Sequence, residues 1–221
     1  MNGLIKVERS PIPPASLALE KAKGTNNYRS SDVIAQLKKD FHGKCYLCEI
    51  DELQSVEVEH LKPHHGGQDR DRMFDWDNLF CSCAHCNGVK NMQQYEDSIL
   101  DCCQVDPEIY LNQELIDNHV KVEPLNESHE VQMTAQLITE CFEKNNTGIR
   151  IWECETRIKA LQRTMTVLYK TLEKHKKKPT AQTKHVLHGM LNRGYKFAGF
   201  TRTYVRKHID EYPDLAADVA L

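Results

Sequence analysis

Two Cys-x-x-Cys pairs are the residues of this chain whose type and spacing most clearly indicate chemistry. Cys45 and Cys48 form the first pair, and Cys83 and Cys86 form the second. Zinc prefers tetrahedral thiolate ligation, and a gap of two residues lets one turn of backbone present both sulfurs to a single ion. The four cysteines therefore predict a structural Zn²⁺ site. Two alternatives stay open, namely that one pair is incidental or that His85 replaces a cysteine as ligand.

A second group of polar residues, between and just after these pairs, could act on a phosphodiester bond. Glu59 and Asn87 offer carboxylate and carboxamide oxygens, the hard ligands that Mg²⁺ or Mn²⁺ prefers. His60 could accept a proton from water as the general base, because its intrinsic pKa is about 6.5. Asn78 could hold the surrounding loop and the imidazole by hydrogen bonds, while Lys90 could bind a phosphate beside Asn87. Each residue taken singly also has an ordinary structural interpretation, so the prediction rests on their order between the cysteine pairs.

Short secondary-structure elements are expected to position these side chains. Val56, Val58 and His60 alternate with glutamates, which is the two-residue period of a strand. The predicted elements are a helix from Asp32 to about Phe41 capped by Ser31, a strand over 56–60, a loop over 64–69, a returning strand over 79–81 and a helix from Cys86 onward. The 34 residues between the cysteine pairs leave room for the strand, loop and strand. Together these elements would form a ββα unit around a metal.

The remainder of the chain is predicted to be mostly helical. The first 30 residues look irregular because of Pro11, Pro13 and Pro14, and such a segment could contact a partner. Residues 99–111 look extended, and helices are expected at about 131–145, 149–175 and 180–208, the last of them broken near Gly194 or Gly199. The predicted fold class is α+β and mostly helical, with an extended segment 1–30, a zinc-stabilised ββα module with an N-terminal helix at 31–98, and a helical C-terminal region at 99–221.

Composition bounds the class of protein. Hydrophobic side chains make up 40% of the 221 residues and the mean hydropathy is −0.60, which indicates a soluble chain with an apolar core. No apolar run approaches the roughly 20 residues that a membrane span needs, and the N-terminus has no apolar signal core, so neither membrane association nor export is expected. Nine cysteines, four of them at zinc spacing, fit a reducing cytoplasm better than a disulfide framework. We therefore expect a cytoplasmic protein.

The formal net charge of −3 conceals a strong segregation of charge along the chain. Residues 92–149 carry 2 basic and 12 acidic side chains, whereas residues 150–208 carry 15 basic and 3 acidic ones. Clustered Lys and Arg are typical of a surface that follows a phosphate backbone. The basic third could equally be a solvated helix face, or a dock for the acidic segment or for an acidic partner. The sequence leaves these alternatives open.

The motifs VEHLKP at 58–63 and DNLFCSCAHCNGVK at 77–90 resemble the HNH endonuclease superfamily. The resemblance implies that His60, Asn78, Asn87 and Glu59 are catalytic and that Glu59 and Asn87 hold the divalent ion. Asn87 stands here where the superfamily commonly has His, and Glu59 where it commonly has Asp, so both positions offer an oxygen ligand. The segments FHGKCYLCE, ILDCCQVDPEIYL and LITECFEKNNTGIR extend the resemblance to the PtuB nucleases of Septu-type antiphage defence, including those that accompany a retron.

The PtuB resemblance implies a nuclease effector that works with a PtuA-like ATPase and, in retron systems, with a reverse transcriptase and its RNA-linked DNA. The chain has no Walker-type GxxxxGK[ST] motif, so any use of ATP must come from another protein. The nucleic acid substrate is expected to be DNA or tRNA. Two other functions remain: a zinc-organised nucleic-acid or protein binding module without catalysis, and a toxin-like subunit acting on protein or a small metabolite, for which no nucleophile motif is present.

Overall fold

Helices dominate the computed structural model, which describes residues 7–53, 55–96, 98–143 and 148–221. The helices are α1 (Ala15–Ala22), α2 (Ser31–Asp40), α3 (Arg70–Phe74), α4 (Ala84–Lys90), α5 (His129–Glu143), α6 (Gly148–Lys177), α7 (Ala181–Met190) and α8 (Ala198–Lys207). The strands are β1 (Glu57–His60) and β2 (Leu79–Ser82) in one antiparallel sheet, and β3 (Leu111–Ile116) and β4 (His119–Pro124) in another. The predicted α+β class is therefore confirmed. Within the described ranges, no helix combines the length and apolarity that crossing a membrane requires.

Strands β1 and β2 and helix α4 lie where the sequence pattern predicts two strands and a helix. In the sheet, Glu59 is opposite Phe80 and His60 is opposite Leu79. Helix α4 begins at Ala84, two residues earlier than predicted, because the Cys83 side chain accepts a hydrogen bond from the backbone N–H of Cys86 and caps the helix. The segment NGVKNMQQYEDS after Cys86 predicts a longer helix, but α4 ends at Lys90.

The connection between β1 and β2 is more ordered than the predicted loop. A 3-10 turn spans His65–Gly67, in which Gly66 has φ 66° and Gly67 has φ 91°. The Asp69 carboxylate then accepts a 2.9 Å hydrogen bond from the N–H of Arg72 and so caps α3. Helix α3 was not predicted, because five residues are too few to display a helical period.

The N-terminal segment differs from the predicted irregular chain, since Ala15–Ala22 form α1. Arg9 and Ser10, which precede α1, contact the rest of the protein. The Arg9 guanidinium donates to the carbonyl of Trp76 at 2.7 Å and lies 4.8 Å from the Phe80 ring centroid. The Trp76 indole in turn donates to the carbonyl of Ser10 at 2.9 Å. A contact of this segment with a partner stays a prediction.

The prediction of an extended chain over residues 99–111 is wrong for most of its length. Turns occupy residues 102–105 and a 3-10 turn spans Pro107–Ile109, because the Asp106 carboxylate accepts from the N–H of Glu108 and Pro107 fixes the first position of the turn. The β3–β4 hairpin that follows was not predicted. Its connection consists of Asp117 and Asn118, both with positive φ (49° and 68°), as in a tight two-residue hairpin turn.

The last four helices follow the predicted order with shifted ends. The lysine run Lys174–Lys178, followed by Pro179, predicts a turn between the last two helices. Helix α6 instead continues through most of this run, to Lys177. The predicted break in the last helix lies at residues 191–197, where Phe197 has φ 53°. The Asn-Asn-Thr-Gly sequence at 145–148 predicts a turn, and it falls largely outside the described residues.

One continuous apolar core joins residues of all three predicted segments, from Val7 to Val219. Polar contacts also tie the zinc-spaced cysteines to the C-terminal region. The Lys44 ammonium donates to the carbonyls of Arg193 and Tyr195, both at 2.8 Å, and the N–H of Gly199 donates to the Glu49 carboxylate at 3.0 Å. The predicted boundary near residue 98 therefore does not separate two cores.

Candidate metal centre and adjoining cavity

The four predicted zinc ligands come together in space. The sulfurs of Cys45, Cys48, Cys83 and Cys86 all lie within 4.8 Å of one another, and all four residues are buried. A tetrahedral Zn²⁺ with Zn–S bonds of about 2.3 Å places its sulfurs about 3.8 Å apart, so the cluster has the size and ligand chemistry of such a site. One pair comes from the turn after α2 and the other from the cap and first turn of α4. The cluster is consistent with a structural zinc site.

A buried arginine balances the charge of this cluster. The Arg157 guanidinium, on α6, donates a hydrogen bond to the Cys83 sulfur at 3.0 Å and another to the Glu153 carboxylate at 2.7 Å. Hydrogen bonds from the thiols of Cys45, Cys48 and Cys86, together with the charge of Arg157, hold the pKa of the Cys83 thiol well below its ordinary value. The Arg157 guanidinium therefore lies where its charge can offset that of a thiolate at Cys83.

His85 lies between two of the cysteines in sequence but serves another purpose. Its Nε2 is 2.9 Å from the carbonyl oxygen of Cys141 and 3.8 Å from the Cys154 sulfur. Burial lowers the pKa of His85, which favours the neutral ring. These contacts direct the imidazole toward α5 and α6 and favour four cysteines as the ligand set.

An open cavity of about 400 Å³ is lined in part by α4, the helix that also carries Cys86. It contains four of the five non-cysteine residues that the sequence predicts as functional. Its lining consists of Tyr28, Arg29, Val58, Glu59, His60, Pro63, His64, His65, Gly66, Asn87, Lys90, Asn91 and Glu96. Glu59 and His60 come from β1 and Asn87 and Lys90 from α4, so the packing of α4 on the β1–β2 sheet brings them together.

The imidazole of His60 is held in one tautomer. Its Nε2 lies 3.0 Å from the carbonyl oxygen of Met73. Because a carbonyl can only accept, Nε2 carries the proton and Nδ1 keeps the lone pair. Burial lowers the pKa of His60 to about 4, so the ring is neutral at physiological pH. The His64 and Tyr28 rings pack against it, with centroids 4.4 Å and 4.6 Å away.

Glu59 and Lys90 form a buried ion pair at the floor of the cavity. The Lys90 ammonium lies 2.8 Å from Glu59 Oε1, and the two side chains are 4% and 2% exposed. Lys90 also donates to the carbonyl of His60 at 3.0 Å, and the Tyr46 hydroxyl donates to Glu59 Oε2 at 2.7 Å. Burial raises the pKa of Glu59, against the opposing effect of Lys90 and Tyr46. The predicted phosphate contact of Lys90 stays a prediction, since its ammonium here is bonded within the protein.

Lys90→Met is expected to lower the free energy of unfolding by about 3–5 kcal/mol, because it leaves the buried Glu59 carboxylate without its counter-ion. The double variant Glu59→Gln/Lys90→Met should recover much of that loss, since replacing both partners of a buried pair leaves no uncompensated charge. Urea unfolding of the wild type, both single variants and the double variant at neutral pH measures the coupling. Losses that simply add in the double variant would contradict a coupled pair.

The two asparagines have different surroundings. The Asn78 side chain is buried and ties the β1–β2 connection together: its Oδ1 accepts from the N–H of Lys62 at 2.7 Å, and its Nδ2 donates to the carbonyls of Lys62 and Arg72 at 2.9 and 3.0 Å. Asn78 thus holds the loop, as predicted, whereas the Met73 carbonyl holds the imidazole. Asn87 is half-buried on α4, and its Oδ1 lies 3.4 Å from Nδ2 of Asn91.

Tyr28, Arg29 and His64 are cavity residues that were not predicted to be functional. Tyr28 and Arg29 come from the N-terminal segment, and the Arg29 guanidinium lies 5.0 Å from the Tyr28 ring centroid. His64 accepts a 2.8 Å hydrogen bond from the N–H of Gly67 through Nδ1. No spacing in the sequence links Tyr28 and Arg29 to His60, whereas the His64-His65 dipeptide near His60 is a local signal.

Comparison with known proteins gives no family assignment. No protein-family model matches the chain, and no curated protein matches it significantly. A functional assignment therefore depends on the residues and contacts described above.

Proposed function

We propose that this chain is a metal-dependent endonuclease of the HNH type, which hydrolyses phosphodiester bonds in nucleic acid. One observation carries the proposal. His60, with its tautomer fixed by the Met73 carbonyl, lines the same cavity as Glu59 and Asn87, next to a cluster of four cysteines. This combination of a neutral base, hard oxygen donors and a thiolate cluster is what the HNH interpretation of the sequence requires.

His60 would act as the general base. The lone pair on Nδ1 can take a proton from a water molecule, whose oxygen forms a bond to phosphorus as the bond from phosphorus to the 3′ oxygen breaks. The imidazolium that forms keeps its Nε2–H bonded to the Met73 carbonyl, which stabilises the new positive charge. Packing by Tyr28 and His64 holds the ring in place during this transfer.

Glu59 and Asn87 would hold the catalytic Mg²⁺ or Mn²⁺, and their oxygens fit a hard divalent cation. When bound, such an ion stabilises negative charge on the phosphate and on the leaving oxygen. Lys90 supplies the positive charge at Glu59 in this structure, so a divalent ion there would exchange with its ammonium. The four-cysteine cluster would hold Zn²⁺ in a structural role, away from the reacting bond.

Arg29 would contribute to substrate binding. It is exposed, lines the cavity, and lies 3.7 Å from the Glu57 carboxylate. A guanidinium can bind phosphate oxygens through two parallel hydrogen bonds. Arg29 is thus placed to contact a phosphate in the cavity.

The biological setting comes from the resemblance alone. A PtuB-like nuclease would be an effector of antiphage defence in the cytoplasm, controlled by a PtuA-like ATPase and, in retron systems, by a reverse transcriptase with its RNA-linked DNA. DNA and tRNA both remain candidate substrates. These statements are part of the proposal.

Cleavage assays with a panel of substrates test the proposal. Protein dialysed free of loosely bound metal would be offered plasmid DNA, single-stranded DNA and bulk tRNA, with and without a PtuA-like ATPase. We expect cleavage of at least one substrate on adding Mg²⁺ or Mn²⁺ and none without it. Zinc content, measured on the same samples, controls for loss of the structural metal. Cleavage at equal rates with and without added divalent ion would contradict the catalytic role given to Glu59 and Asn87.

The buried Glu59–Lys90 pair favours a second candidate function, a zinc-organised binding module without catalysis. A carboxylate that is permanently neutralised by a lysine needs no divalent ion. In that case the chain would bind nucleic acid or protein in the assays above and would not cleave with any metal, even in the presence of the ATPase.

A further inference from the structure

The acidic middle of the chain neutralises only part of the basic C-terminal third. Its carboxylates pair with basic residues on α8 and just before it. These ion pairs join Arg193 to Asp106 and Glu108, Arg202 and Arg206 to Glu108, and Lys207 to Glu114 and Glu123. One alternative for the basic third was that it binds the acidic segment, and these ion pairs show that α8 does so. This alternative does not account for α6.

The outer face of α6 carries positive charge without such partners. Arg163, Lys170, Lys174 and Lys177 are all exposed, and none of them has an ion pair with a described residue. Lys159, on the same face, pairs with Glu155, but both of these side chains are more than half exposed. A surface pair of this kind adds little stability and is easily exchanged.

These cations form a line rather than a patch. At about 100° per residue, Lys159, Arg163, Lys170, Lys174 and Lys177 fall within about 40° of one line along the helix. Trp152, whose side chain is 65% exposed, lies on the same line. From Trp152 to Lys177 the line is about 38 Å long at 1.5 Å per residue. We call the residues Trp152, Lys159, Arg163, Lys170, Lys174 and Lys177 the α6 stripe.

The helix that carries the stripe is fixed to the candidate metal centre. On another of its faces, Arg157 donates to the Cys83 sulfur, and Cys83 is the cap of α4, which carries Asn87 and Lys90. A ligand held on the stripe would therefore keep a fixed position relative to the cavity, because a closely packed helix behaves as a rigid element.

We propose that the α6 stripe binds the phosphate backbone of the nucleic-acid substrate. This inference rests on the proposed nuclease function and names a surface for that function. A linear row of cations matches a linear polyanion, and an exposed tryptophan offers a face on which an unpaired base can stack. The stripe also supplies local attraction for a polyanion in a chain whose net charge is −3.

Binding measurements without catalysis test the stripe. The probes are fluorescently labelled single-stranded DNA, duplex DNA and tRNA, titrated with full-length protein at several salt concentrations and without divalent ions. The stripe variant is Arg163→Ala/Lys170→Ala/Lys174→Ala/Lys177→Ala. The matched control is Lys23→Ala/Lys38→Ala/Lys39→Ala/Lys121→Ala, which removes the same charge from exposed lysines elsewhere. Alanine preserves helix propensity at the helical positions, and Lys23 and Lys121, which lie outside helices, are exposed, so both variants should fold.

The stripe variant is expected to bind at least tenfold more weakly than the control to the probe that the wild type binds best. The plot of log affinity against log salt concentration has a negative slope, and for the stripe variant its magnitude should be smaller than for the wild type by about 3. Each lost phosphate contact removes about 0.7–0.9 from that magnitude. Trp152→Ala should weaken binding of single-stranded DNA more than that of duplex DNA. Equal affinities of the stripe and control variants would overturn the proposal, and so would a wild type that binds no probe at low salt.

Poly-L-glutamate of matched charge distinguishes an acidic protein partner. If it competes as strongly as nucleic acid at the same salt, the stripe is a surface for an acidic protein and the proposal fails. Failure of the stripe is also separable from failure of the nuclease. If the wild type cleaves nucleic acid and the stripe variant binds it normally, the nuclease proposal stands and the stripe proposal fails. If the stripe variant loses binding and the wild type does not cleave, the stripe binds nucleic acid and the nuclease proposal fails.

Discussion

His60→Ala is expected to reduce cleavage by about 10²–10⁴-fold, which is the usual contribution of a positioned general base. The Met73 carbonyl fixes the tautomer of His60 and leaves its Nδ1 lone pair free to accept a proton. His64 lines the same cavity, but its Nδ1 lone pair already accepts a hydrogen bond from the N–H of Gly67, so it is a poor replacement. The measurement is the initial rate of cleavage of the best substrate, with saturating divalent ion, for wild type and variant purified in parallel.

The control for this prediction is His185→Ala, which removes an exposed histidine from α7. It should cleave at the wild-type rate. Thermal unfolding of both variants separates lost chemistry from lost fold, since His60 is buried and its removal leaves a cavity. A folded His60→Ala protein that cleaves as fast as the wild type would mean that another group is the base or that a contaminant does the cutting.

Cys45→Ser is expected to abolish both zinc binding and the folded state. In small zinc peptides the binding free energy, about 10–16 kcal/mol, is largely folding free energy. Cys45 is fully buried against the other three sulfurs, and its hydroxyl replacement is a poor ligand that would leave uncompensated thiolate charge in the core. Zinc per chain by mass spectrometry and the yield of soluble, cooperatively unfolding protein measure the effect.

Cys103→Ser is the matched control, because Cys103 is also buried but contacts Arg9 rather than the cluster. We expect it to keep one zinc per chain and a cooperative transition close to that of the wild type. A Cys45→Ser protein that stays folded without zinc would show that the four sulfurs are packing residues only.

The sequence was sufficient for the elements whose signals are local. Alternation at 56–60 predicted β1 within a residue. The cysteine spacing predicted the cluster, because two Cys-x-x-Cys pairs in one chain are typical of a zinc site. It was not sufficient for the β3–β4 hairpin, whose turn is Asp117-Asn118 with positive φ at both residues, without the glycine that usually marks such turns.

The candidate site shows the same division between local and distant signals. Glu59, His60, Asn87 and Lys90 share a cavity as their order in the chain predicted. The burial of Lys90 against Glu59 could not be predicted, because the i+3 spacing from Asn87 fixes the side of α4 but not the neighbour on β1. Tyr28 and Arg29 reach the site through the tertiary packing of the N-terminal segment, and no periodic pattern in the sequence predicts that packing.

The bonds from Lys44 to the carbonyls of Arg193 and Tyr195, and from Gly199 to the Glu49 carboxylate, have a consequence for synthesis of the chain. They flank the first cysteine pair, yet their partners are translated about 150 residues later. The residues of the cavity therefore leave the ribosome long before these contacts around the first cysteine pair can form. These contacts can form only after residue 199 has been made, so a growing chain that stalls before residue 193 lacks them at the first cysteine pair.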